Sequence, residues 1–335
     1  MSVKKVLSLV IYSFTFLLFV TGCGGESASS SGAQDDGNNN EVYTLNLATS
    51  LDETQVQMAG VPIFEEKVES YSDGRIEINY IGGPEAISGM KQGEAIRSGA
   101  IDISWTYSSY YAELIPEVLV TNFTELSYEE ELERGSFEYL NELHADMNAL
   151  ILGRTLPSQY RLYLTEEVES AEDLAGLRIR GTSTYVPTLE SFGTEAISLE
   201  SGEVYTALER GMIDGVAYNE FGITDISAEE LLEYQVSPSF NTLDGVILMN
   251  LDAFEQLPGD LQDVLYTAAI ETYYETEEET NDFIEDEKEV LKEAGVEEIK
   301  LTNETEFLET SLEASWEWLS ERVEDPETLA EYFRE

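Results

Sequence analysis

The chain is short of cysteine, histidine and positive charge. Its 335 residues include one cysteine, one histidine and 17 Lys+Arg against 69 Asp+Glu, for a formal net charge of −52. With Cys23 alone, no disulfide forms within one copy. The lone histidine, His144, would have to serve any histidine-dependent serine or cysteine nucleophile; a surface or packing role is the plainer reading. Few cations exclude a nucleic-acid binder, which needs clustered Lys and Arg against phosphate. The same scarcity argues against docking on anionic lipid through a basic patch. No GxSxG, HExxH, P-loop or GxGxxG run is present. Carboxylates are so plentiful that a catalytic pair among them has no specificity. An enzyme is not expected, nor a cofactor, and no metal site is assigned.

What is present can build a core. Hydrophobic residues make up 42% and aromatic residues 10% of the chain, too much apolar material for a disordered polyanion. The length suits two lobes. An acid excess of this size suits a protein kept soluble in concentrated salt, where repulsion is screened over a few ångströms. A halophilic or salt-tolerant source is therefore expected; the alternative is an ordinary acidic extracytoplasmic protein.

The amino terminus reads as an export signal. Lys4 and Lys5 precede an apolar run over 6–20, which ends in Val20-Thr21-Gly22-Cys23. That run is short of the about 20 residues of a bilayer span but suits a secretory leader. The small residues before Cys23 resemble a bacterial lipobox, which implies a signal peptide over 1–22 and a lipidated Cys23. A plain cleaved signal or an anchor helix is the alternative. Residues 24–40 lack apolar periodicity and read as a flexible tether. The protein is thus expected outside the cytoplasmic membrane, lipid-anchored to its outer face or in a periplasm.

From Val42 the texture alternates between strand and helix, which predicts an α/β layered fold with largely parallel pairing. An internal echo supports two related lobes. Ala95-Ile96-Arg97-Ser98-Gly99-Ala100-Ile101-Asp102 matches Ala207-Leu208-Glu209-Arg210-Gly211-Met212-Ile213-Asp214 at an offset of 112 residues. Each copy reads as a helix end, a left-handed glycine cap and a strand entered through Ile-Asp. Facing lobes of this kind would form one cleft at the carboxyl ends of their strands. After Pro258 the chain has no Gly or Pro between Gly259 and Gly295. Leu261, Val264, Leu265, Ala268, Ala269 and Tyr273 keep a helical stripe there. About 35 residues of helix would reach roughly 50 Å, long enough to brace both lobes. Lobe I is expected over 42–160 plus about 250–280, and lobe II over 161–249 plus about 281–335.

Because cations are scarce, their positions are informative. Arg154, Arg161, Arg178 and Arg180 fall within 27 residues. A cleft for an anion inside so acidic a body needs its own positive charge, and a guanidinium suits bidentate contact with a carboxylate. Local pairing with Glu166, Glu167, Glu169 and Glu172 remains the alternative.

The run Leu174-Ala175-Gly176-Leu177-Arg178-Ile179-Arg180, with Glu203-Val204-Tyr205-Thr206-Ala207-Leu208 and Gly211-Met212-Ile213-Asp214-Gly215, resembles the extracytoplasmic solute-binding subunits of TRAP (tripartite ATP-independent periplasmic) transporters, dicarboxylate-binding type. Gly82-Gly83-Pro84-Glu85 and Tyr110-Tyr111 before Pro116-Glu117 extend the likeness. The resemblance implies a two-lobed fold of periplasmic-binding-protein type with a long bracing helix. It implies capture of a small organic anion by lobe closure and delivery to TRAP membrane permease subunits. A sensing lipoprotein that feeds a membrane kinase is the alternative. Carried over residue by residue, it implies that Arg180 holds the ligand carboxylate with Arg161 as a second arginine, and that Tyr218 or Asn219 makes a polar contact. Thr49, Ser50, Tyr107 and Ser108 match cleft-lining positions, and Tyr110, Phe240 and Asn241 are further candidates.

Overall fold

The computed structural model describes residues 41–182, 184–243 and 245–335. The leader, Cys23 and the polar tether read from the sequence lie outside the described residues. Strand, helix and strand alternate from the start: β1 (Tyr43–Thr49), α1 (Gly60–Tyr71), β2 (Ile76–Gly82), α2 (Gly89–Arg97) and β3 (Ile103–Tyr107). β1 pairs in parallel with β2 on one side and β3 on the other, as helical crossovers permit. α1 buries Val61, Phe64 and Val68, a spacing that makes one apolar stripe. Phe64 meets Trp105 of β3 with ring centroids 6.4 Å apart. Three short helices follow, α3 (Val120–Phe123), α4 (Tyr128–Arg134) and α5 (Ser136–His144), before the fully buried β4 (Ala149–Arg154). α4 begins at a capping box between Ser127 and Glu130 and ends at Gly135 with φ 77°. His144 is a packing histidine: it is fully buried, with Nδ1 2.7 Å from the Leu140 carbonyl and Nε2 3.3 Å from the Tyr111 hydroxyl.

The next strands make a second sheet. They are β5 (Gln159–Leu164), β6 (Arg178–Arg180), β7 (Glu195–Ile197), β8 (Gly215–Asn219) and β9 (Tyr234–Thr242), with α6 (Val186–Ser191) and α7 (Val204–Glu209) between them. The chain then returns to the first sheet as β10 (Gly245–Asn250). It continues through α8 (Leu251–Glu255), the 36-residue α9 (Gly259–Ala294), β11 (Glu297–Lys300), α10 (Glu304–Ser320) and α11 (Pro326–Phe333). Strand orders are β2-β1-β3-β10-β4 and β11-β9-β5-β8-β6-β7. The architecture is the expected two-lobed α/β one.

Pairing departs from the largely parallel expectation, and the reason is topological. β10 runs antiparallel to β3 and β4, and β5 antiparallel to β8 and β9. β4 passes into β5, and β9 into β10, through a few residues with no helix to bring the chain back. The pairs β4·β10 and β5·β9 thus form one antiparallel ribbon that runs through both sheets. At the crossing, Thr155 N–H donates to the Gly245 carbonyl (3.1 Å) and Leu243 N–H to the Ser158 carbonyl (2.8 Å). A Cβ on Gly245 would stand 2.0 Å from Thr155 Oγ1, so the crossing has no room for a side chain there.

α9 is the expected brace, ending at Gly295 with φ 93°. At 1.5 Å per residue its 36 residues span roughly 54 Å. Its first half buries Leu261, Leu265, Ala268 and Ala269 against α1 and β4. Its last turns pack beside the second sheet, where Leu291 joins the core of Tyr163, Val204 and Val216. There Glu287 accepts hydrogen bonds from the Thr224 N–H (3.0 Å) and hydroxyl (2.8 Å).

The sequence echo is a structural one. α2 and α7 each run into a left-handed glycine, Gly99 with φ 72° and Gly211 with φ 61°. The following amide returns to the helix in both, Ala100 N–H to Ala95 O (2.9 Å) and Met212 N–H to Ala207 O (2.8 Å). The aspartates then do the same work. Asp102 accepts from the backbone N–H of Asn46 and Asp214 from that of Arg178, both at 2.8 Å.

Candidate functional site

A small cavity lies where carboxyl ends of strands from the two sheets meet. Leu51, just past β1, and Tyr107, Ser109 and Tyr110, at and past the end of β3, line one side. Arg180 and Thr182 after β6, Tyr185, Ser201, and Tyr218 and Asn219 at the end of β8 line the other. Carboxyl ends are where open α/β sheets leave a crevice, because the chain turns away to opposite faces there.

Arg180 is the electrostatic centre of this cavity. β6 is three residues long and parallel to both β7 and β8, so its last side chain lies at the sheet rim. Arg180 is 3% exposed. Its Nε donates to the Leu199 carbonyl (3.0 Å) and Nη1 to the Ala217 carbonyl (3.4 Å), and its guanidinium carbon lies 5.8 Å from the Tyr218 ring centre. Two of five N–H donors are thereby used. The other buried arginines have carboxylates: Arg154 pairs with Glu131 at 2.7 Å, and Arg161 with Glu220 at 3.7 Å and Glu298 at 3.6 Å. Among the described residues no carboxylate stands within 4 Å of Arg180. Arg178 takes Asp214 as its bidentate partner, at 2.9 and 2.5 Å.

Tyrosines form much of the wall. Tyr107 and Tyr110 sit with centroids 5.6 Å apart. Tyr185 meets Tyr160 edge to face at 4.5 Å. The Tyr218 hydroxyl lies 2.9 Å from Ser201 Oγ, and burial pushes its pKa up, keeping it a neutral phenol. Asn219 is buried, and its carbonyl accepts from the Tyr163 hydroxyl at 2.9 Å. Thr182 is buried with an Oγ1 that has no hydrogen-bond partner.

The structure thus brings together Arg180, Tyr218, Asn219, Tyr107 and Tyr110 of the sequence-derived set. Arg161 does not line the cavity; besides its two carboxylates it donates to Gln235 Oε1 at 3.0 Å. Alternation along β5 puts the neighbouring Tyr160 on the face nearer the cavity, where it packs on Tyr185. Ser108 is fully buried, its hydroxyl 3.5 Å from Asn122 Oδ1 and from Thr121 Oγ1, and the next residue, Ser109, is the one at the cavity. Thr49 is turned to the Leu51 carbonyl (2.8 Å) and the Tyr80 hydroxyl (3.1 Å). Ser50 is buried beside it. Phe240 belongs to the core, edge to face with Phe307 at 5.7 Å. Asn241 holds a left-handed backbone (φ 48°) near the end of β9. Leu51, Ser109, Thr182, Tyr185 and Ser201 were not anticipated. Closeness to Ser50, Ser108 and Arg180 would have marked the first four; nothing local marks Ser201.

Among the described residues no helix is long and apolar enough to cross a membrane. A relative from Nostoc, named a monocarboxylate 2-oxoacid-binding periplasmic protein, is 22% identical over 67% of this chain and 65% of its own length. The chain thus spans just under two thirds of that curated relative. A TRAP periplasmic solute-binding protein from Desulfovibrio salexigens, solved with bound orotic acid, superposes with a TM-score of 0.78 at 19% identity, over 87% of this chain and 99% of that one. A TRAP solute-binding protein from an unidentified microbe of a marine metagenome, described as specific for pyroglutamate, gives 0.73 at 20% identity, over 88% and 99%. The DctP family model, described as bacterial extracellular solute-binding protein, family 7, matches residues 47–318. With that match covering most of the chain, the protein belongs to the family 7 bacterial extracellular solute-binding proteins, the TRAP type that its Gly176–Arg180 and Gly211–Gly215 runs resemble.

Proposed function

We propose that this protein captures a small organic carboxylate outside the cell by closing two lobes on it, and hands it to the membrane permease subunits of a TRAP transporter. The observation that carries this reading is Arg180. It is a buried guanidinium at a cavity, with no carboxylate beside it among the described residues, in a chain of net charge −52. A buried cation left uncompensated is costly, and a ligand carboxylate is the counterion that accounts for it. The names of relatives, which speak of 2-oxoacids, pyroglutamate and orotic acid, support the same class.

In this reading Arg180 grips the carboxylate bidentately, Tyr107, Tyr110 and Tyr218 exclude water, and Asn219 adds a polar contact. Lobe I is built on the β1–β4 sheet and lobe II on the β5–β9 sheet. A lipid on Cys23 tethers the protein outside the membrane in salty surroundings, and an ion gradient at the permease supplies the energy. Calorimetric titration with carboxylates in high salt tests the proposal. Arg180→Ala should weaken binding on the order of 100-fold while the melting temperature holds. Unchanged affinity in that variant would remove Arg180 from the site.

A further inference from the structure

Resting on that reading, we infer that the ligand is a monocarboxylate with a flat, otherwise non-anionic body and a polar group for Thr182, and that this protein discriminates against dicarboxylates. The first argument is charge. Among the described lining residues Arg180 is the sole cation. Arg161, the next buried arginine along the chain, is outside the lining and already holds Glu220 and Glu298. A second carboxylate in the cavity would therefore be desolvated with no cation to meet it, inside a body of net charge −52.

The second argument is the wall. Tyr107, Tyr110, Tyr185 and Tyr218 line the space. Aromatic rings favour stacking of a planar body, and a second anionic group would meet only neutral hydroxyl and amide donors there, with no cation.

The third argument is an unmet hydrogen bond. Thr182 stands two residues beyond Arg180, lines the cavity, is 5% exposed, and has an Oγ1 without a partner. Buried hydroxyls are seldom left unsatisfied. A ligand carbonyl, hydroxyl or ring N–H beside the carboxylate would complete it, and would fix which way round the body enters.

Calorimetric titration of matched pairs in high salt tests this: 2-oxobutyrate against 2-oxoglutarate, and benzoate against phthalate. The monoacid of each pair should bind tighter, on the order of tenfold or more. Thr182→Val, nearly isosteric, should weaken 2-oxobutyrate several-fold and leave benzoate unchanged, with the melting temperature of the wild type. Equal or tighter binding of the diacids overturns the inference while the carboxylate reading stands. An equal effect of Thr182→Val on both monoacids overturns the orienting role. No binding by any carboxylate of a broad panel overturns the carboxylate reading, and the inference with it.

Discussion

At the scale of single residues, burial decides what each charged group can do. Glu131 is fully buried and gives both carboxylate oxygens to Arg154, whose remaining donors reach the Thr121 carbonyl (2.9 Å) and the Leu243 carbonyl (3.3 Å). The pair thereby ties α4 to the ribbon crossing. Glu131→Gln keeps the shape and strips the counterion, so urea unfolding should report a loss of about 3–5 kcal/mol. His144 has its pKa pushed down to about 4 by burial. In the unfolded chain it takes a proton near pH 6.5. Between those values the unfolded state binds the extra proton, so stability falls as pH falls from about 6.5 to about 4, by roughly 3 kcal/mol in all. His144→Leu should lose that slope, read as the difference between the two proteins' pH–stability curves.

At the scale of elements, specific hydrogen bonds join loops beside the two sheets. Val56 N–H donates to Asp225 Oδ2 (2.9 Å), Ser88 Oγ to Glu200 Oε1 (2.8 Å), and Gln57 Nε2 to the Phe221 carbonyl (3.3 Å). Each joins a loop or turn near the first sheet to one near the second. On the proposed lobe closure, Asp225→Ala with Ser88→Ala should loosen the closed form. Ligand affinity should then drop several-fold, at about 1 kcal/mol per bond, and small-angle scattering of the free protein should give a larger radius. Elements differed in how legible they were. α9 could be read directly, since Gly259 and Gly295 bracket a stretch with no other breaker and one apolar stripe. The paired Gly99 and Gly211 caps were equally plain, because each motif is local. The crossing ribbon was not, since β4 meets β10, and β5 meets β9, across tens of residues of intervening chain, with Pro157 and Pro238 breaking the strand texture. The site follows the same division. Arg180 stood out because cations are rare, whereas Ser201 reaches the cavity only through the packing of Tyr218.

At the scale of the whole molecule, 69 acidic residues face only 17 basic ones. Helix α9 alone exposes Glu275, Glu277 and Glu279 in its middle. Self-repulsion of this kind is relieved by salt over a Debye length of about 3 Å at 1 M. The melting temperature should therefore climb through a salt series from dilute buffer to molar sodium chloride. A flat series, read by differential scanning calorimetry, would argue for an ordinary acidic protein instead.

The place of β10 between β3 and β4 also sets a timetable. A chain made from its amino terminus has β3 and β4 in hand by residue 154, yet the strand that joins them ends at Asn250. Until then the first sheet has a gap through its middle, with two edges facing nothing. Chains truncated before Gly245 should accordingly show no cooperative melt. A nascent chain therefore lacks a complete first sheet until Asn250 has been made, about three quarters of the way through its synthesis.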